Sequence, residues 1–206
     1  MTTDNLLYID LAEFENGQAL RGGALVIDLS TEPLEFRCTD AVRPTTIQRI
    51  LWGARLNGQL AVNVLAMPLV RALRQQYCAV VTRGPDFLGL REFLDLPVVC
   101  VRKHSDVPFL GPEQSGESVP DNAGQNSNDE DIQGDDPVHA ERLLTNPAGH
   151  FEPLILECHR EHKDDLQEVR PMLARVFATR DVLEPFDRIA TALEAIQEQT
   201  AKDRKE

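Results

Sequence analysis

The chain has 206 residues, 42% of them hydrophobic, which is enough for one packed domain. Its formal charge of −13 is uneven: residues 1–103 carry 11 basic and 11 acidic side chains, residues 104–141 carry 10 acids and no Lys or Arg, and residues 142–206 carry 10 basic and 13 acidic. No apolar run is long enough to span a bilayer and the N-terminus lacks the order of a signal peptide, so the expectation is a cytoplasmic protein with no membrane partner.

In chain order, Leu6 to Phe14 reads as a strand. Glu15-Asn16-Gly17-Gln18 supplies the positive φ angles of a tight hairpin, and Ala24 to Leu29 is its partner. Gly22-Gly23 just ahead of that partner marks a bulge or a place where another backbone comes close. A second turn at Ser30-Thr31-Glu32-Pro33 leads to a third strand, Leu34 to Thr39.

Pro44 holds Arg43 extended, and Thr45-Thr46-Ile47-Gln48 has the form of a capping box. Ile47, Ile50, Leu51 and Ala54 share one face of the helix that follows, which is expected to end or bend at Asn57-Gly58. A second helical stretch, Leu60 to Gln76, is interrupted or restarted at Pro68. Tyr77 to Thr82 and Pro97 to Val101 are short, wholly apolar strands with a brief helix between them, a pattern that implies parallel pairing covered on both faces.

Residues 104–141 are rich in Gly, Pro, Ser, Asn, Asp and Glu, and the composition predicts a disordered acidic insertion, read as a solvated spacer rather than a binding tail. Pro153 to Cys158 resumes the buried-strand pattern and is expected to rejoin the first sheet. Two amphipathic helices close the chain, one presenting Leu166, Val169, Leu173, Val176 and Phe177, the other Val182, Phe186, Ile189, Leu193 and Ile196 after an Asp181-x-x-Glu184 start.

The predicted fold is a single α/β domain, with α+β as the variant. It comprises residues 1–103, the insertion 104–141, and residues 142–200 completing the same domain. A three-stranded antiparallel meander followed by βαβ-type units in one mixed sheet resembles the layout of ribonuclease-H-like and several other α/β folds; the resemblance is of layout, with no sequence motif behind it.

Three constellations are candidates for chemistry or recognition. Asp10, Asp28 and Glu157 would serve a divergent metal-dependent nuclease if their strands were neighbours, because two-metal phosphodiester hydrolysis needs clustered carboxylates. The helix from Thr45 and the strand from Tyr77 bring no acid, however, where a ribonuclease-H-like site wants one. His150, Cys158, His159 and His162 are of the right types for Zn²⁺, but a strand would point Cys158 and His159 to opposite faces. Gly22-Gly23 and Gly84-Pro85 match no phosphate cradle, so no cofactor is expected. Arg49, Trp52 and Arg55 leave the apolar stripe of their helix, and Trp and Arg are over-represented where partners dock.

Cys38, Cys78, Cys100 and Cys158 are spread through apolar runs and read as reduced core thiols. The leading expectation is therefore a non-catalytic interaction or accessory protein with a protein partner, and the alternative is the nuclease. The charge partition neither supports nor rules out nucleic acid.

Overall fold

Three antiparallel strands open the chain: β1 (Leu6–Phe14), β2 (Ala19–Ile27) and β3 (Pro33–Cys38). The structure is a computed structural model and describes residues 4–106 and 142–203; apart from His104–Asp106, a 3-10 turn, the acidic insertion lies outside the described residues. β4 (Ala79–Thr82) runs parallel to β1, and β5 (Val98–Lys103) parallel to β4. β7 (Leu154–Cys158) then pairs antiparallel with β5, and the two-residue β6 (Leu143–Leu144) closes that edge. The seven strands make one mixed sheet of order β3-β2-β1-β4-β5-β7-β6, so the expected α/β layout holds and the strand after the insertion rejoins the first sheet.

The β1–β2 hairpin turns on Glu15, Asn16 and Gly17, all at positive φ. β2 begins five residues before its expected start because Gly22-Gly23 lies inside the strand. A Cβ on Gly22 would come 3.0 Å from the Cβ of Leu65, and one on Gly23 would come 2.5 Å from Cγ2 of Ile189. The glycines thus admit side chains from the layers on opposite faces of the sheet, in unbroken register with β1, where a bulge or another backbone was expected.

The first helix, α1 (Thr46–Trp52), starts with the predicted capping box: Gln48 N–H donates to the Thr45 hydroxyl, and the Gln48 side chain accepts from Thr45 N–H. It ends at Gly53, whose φ of 51° suits glycine, and not at Asn57-Gly58. A 3-10 turn (Gly53–Arg55), α2 (Leu56–Gln59), a π-helical stretch (Leu60–Ala66) and α3 (Met67–Ala72) follow without a break. In the π-helical turn the Met67 N–H reaches back five residues to the Val62 carbonyl, and Pro68 falls in the first turn of α3. The proline's missing donor is therefore accommodated, and the expected interruption becomes a widened turn.

The apolar stripe of α1 is not core. Ile47, Ile50 and Leu51 are 68%, 74% and 77% exposed, and no residue of α1 is buried. The sheet face on this side is already covered by the stretch after Gly53 and by the 3-10 helix Pro85–Glu92. Ala61, Val62, Ala66, Leu69, Phe87 and Leu90 pack there on Leu7, Ile9, Val26, Val80 and Val98.

The opposite face is covered by α4 (Asp164–Phe177) and α5 (Glu184–Asp203). Leu166, Val169, Leu173, Val176 and Phe177 are all buried, as are Val182, Phe186, Ile189 and Leu193. They close on Leu6, Tyr8, Val81, Val99 and Val101. Asp181 caps the turn before α5 by accepting the Leu183 N–H. All four cysteines are free thiols, Cys100 buried and the others partly so.

Candidate functional site

Asp10 stands near the middle of β1, where the strand emerges toward the carboxyl ends of β1 and β4. Ile9 pairs with Thr82 in parallel register, so Asp10 and Arg83 occupy the next rung of neighbouring strands. Both side chains leave the sheet on the α5 face, alternating with their neighbours Ile9 and Thr82. There Arg83 grips Asp10 with two donors on one carboxylate oxygen, Nε at 3.0 Å and Nη2 at 2.7 Å. The other oxygen of Asp10 accepts the Leu11 N–H at 2.9 Å. Beyond the pair, Arg83 Nη1 lies 3.6 Å from Asp187, and the guanidinium carbon sits 5.2 Å from the centre of the Phe186 ring.

The Asp10 side chain is 12% exposed, whereas that of Arg83 is 42% exposed. Burial raises the Asp10 carboxyl above its ordinary pKa, and the charge and hydrogen bonds of Arg83 pull against that. The pair opens into a cleft of about 260 Å³, whose walls include Leu20, Asn57, Leu60 and Phe87, with Glu13 and Asp86 among its lining. Crevices outside the carboxyl ends of parallel strands are where open α/β sheets bind ligands.

The other expected site residues lie elsewhere. Asp28 follows β2 at the far end of the sheet, about 17 Å along the strands from Asp10, because Asp10 pairs with Gly23 and Leu6 with Ile27. It is a turn cap, accepting the N–H groups of Ser30 and Glu32. Glu157 pairs with Cys100 three strands away from β1, on the opposite face from Asp10, and holds Arg102 at 2.5 Å. The three carboxylates are not brought together.

His150 precedes β7 and Cys158 ends it, so the strand separates them. The His159 and His162 rings are 5.6 Å apart, with His159 Nε2 3.6 Å from Glu92. Among the described residues no three His, Cys, Asp or Glu side chains are grouped to hold a metal ion. Arg49 donates to the Gly17 carbonyl, Trp52 is 45% exposed and Arg55 is exposed, all on the helical run that continues into Asn57 and Leu60 of the cleft wall.

Arg83 is the residue that sequence reasoning passed over. Its signal was position: it directly follows a buried strand, in the run Val80-Val81-Thr82-Arg83-Gly84-Pro85. The surrounding charge pattern points the same way, since there is no Asp or Glu between Asp40 and Asp86 but six arginines.

No family model matches the chain, and no curated protein sequence is detectably similar to it. The fold does have solved counterparts. Endonuclease V from Streptomyces avermitilis superposes with a TM-score of 0.58 at 17% identity, over 96% of this chain and 83% of that one. Endonuclease V from Bacillus subtilis gives a TM-score of 0.58 at 14% identity, over 96% and 83%. The chain has the fold of these endonucleases.

Proposed function

We propose that the protein acts on nucleic acid, receiving a phosphodiester backbone in the cleft above Asp10 and Arg83. The observation that carries this reading is the likeness of nearly the whole chain to two proteins named as endonucleases. It is supported by Arg83, a residue of the cleft lining whose side chain is half-exposed, and by the acid-free, arginine-bearing stretch that forms one wall. Trp52, exposed between Arg49 and Arg55 on that stretch, offers a ring on which an unpaired base would stack. A protein partner, expected from the lack of an assembled catalytic set, finds no support of this kind.

Cleavage is the second reading, favoured by the three carboxylates, Asp10, Glu13 and Asp86, that line one cleft. The donor set fits a divalent cation poorly, because Asp10 is engaged by Arg83 and the backbone and the other two sit on the rim. The proposal is therefore binding on a nuclease fold. Labelled single- and double-stranded DNA and RNA, titrated with the protein and followed by fluorescence anisotropy, test it. Saturable binding that weakens steeply with salt is expected, and its absence for all four ligands would sink the proposal. Incubation of the same ligands with Mg²⁺ or Mn²⁺ tests the second reading: cutting that disappears in Asp10→Asn would establish a nuclease.

A further inference from the structure

A carboxylate at the end of a central strand, facing a cleft in a sheet shared with endonucleases, raises the question of what neutralises it. Phosphodiester hydrolysis with metal ions needs a second carboxylate close enough to share the cation. Two positions flank Asp10 in register: Gly23 on β2, which has no side chain, and the adjoining rung of the parallel neighbour, which Arg83 fills. Its guanidinium occupies the space beside Asp10 where a shared cation would lie. It is held on two sides, where Asp10 takes two of its N–H donors and the Phe186 ring lies against it, while Asp187 stands off at 3.6 Å. Both Asp10 oxygens are already used, one by Arg83 and one by Leu11 N–H.

We infer that Arg83 stands in for the divalent cation, making the Asp10–Arg83 pair a phosphate-contacting centre that works without metal. The inference rests on the nucleic-acid reading above for its ligand, but not for its electrostatics. A guanidinium has five N–H donors in a planar fork, so three remain after Asp10 is satisfied. Asp187 is 77% exposed and loosely placed, and a phosphate oxygen can take its position on Nη1. The charge that a metal site would recruit from solution is here carried by the chain. A corollary follows for the reverse substitution: Arg83→Asp would set two carboxylates side by side, with Glu13 and Asp86 on the rim, and create the demand for a cation that the parent lacks.

Thermal melts of the parent, Arg83→Asp and Arg83→Asp/Asp10→Asn, with and without millimolar Mn²⁺, test the electrostatics. The parent's melting temperature should not respond to Mn²⁺, Arg83→Asp should rise on adding it, and the double variant should lose that rise. Anisotropy in EDTA tests the contact. Affinity of the parent for a labelled oligonucleotide should be the same with EDTA as with Mg²⁺, and Arg83→Gln should lower it about tenfold. A Mn²⁺-dependent rise in the parent that Asp10→Asn removes would overturn the inference. So would a folded Arg83→Asp that ignores Mn²⁺, or binding by the parent that EDTA abolishes. Should Arg83→Asp not fold, the parent's melts still decide the point. If no oligonucleotide binds, the functional reading fails, while the melts decide the inference alone.

Discussion

As strings of letters, α1 and α4 look alike: each carries apolar residues at helical spacing on one side and charged or polar residues on the other. α4 buries its stripe, with Val169, Leu173, Val176 and Phe177 fully covered by the sheet. α1 leaves Ile47, Ile50 and Leu51 mostly in solvent. The difference lies in what each helix can reach. α4 runs fourteen residues along a sheet face that it shares with α5 and that no other element covers beneath it. α1 is seven residues long, ends at Gly53, and meets a face that the following helical stretch already covers. Periodicity reports that a helix has an apolar side, and says nothing of whether that side is needed elsewhere.

The comparison can be broken from either end. Phe177→Ala, removing a fully buried ring from the α4 side, should cost about 3–5 kcal/mol in urea denaturation. A cost under about 1 kcal/mol would show that this core is looser than its burial suggests. Next in size is Gly23→Ala, which forces a methyl group against Ile189 and should cost about 1–3 kcal/mol by overpacking. Ile189→Ala, which removes the clashing Cγ2 methyl, should make Gly23→Ala cost less than it does with Ile189 in place, and an unchanged cost would put the strain elsewhere. The smallest effect belongs to α1: Trp52→Ala should cost no more than about 1 kcal/mol, since nearly half of the residue is in solvent. The emission of Trp52 in the intact protein should be red-shifted and open to acrylamide. A blue, protected emission would mean that the α1 face is covered in solution and that the two helices differ less than they do here.

Much of the fold was legible because the signals were local and repeated. The bounds of β1, the capping box at Thr45 and the core faces of α4 and α5 follow from alternation, hydrogen-bonding chemistry and 3.6-residue spacing. The early start of β2 was not, because glycine inside a strand reads as a break until the side chains pressing on it are known. β6, with two residues, has no periodicity to detect. In the site, Asp10 was legible as a strand carboxylate. Its company was not, because Asp28 and Glu157 could be sorted from it only by strand order and facing. Arg83 becomes visible as a partner only once β1 and β4 are known to be neighbours in register.

Gly23 is the rung partner of Asp10, and Ile189 presses into the space that its missing side chain leaves. Ile189 shares α5 with Phe186 and Asp187, the two residues set against Arg83. The bare backbone at Gly23 therefore acts as a spacer of zero thickness, fixing how far the helix stands off the sheet. A shim of one methyl group there would lift α5 and draw the ring and the carboxylate away from the guanidinium. The alignment of the charge pair is in this sense calibrated from beneath, by a residue that touches neither member of it with a side chain.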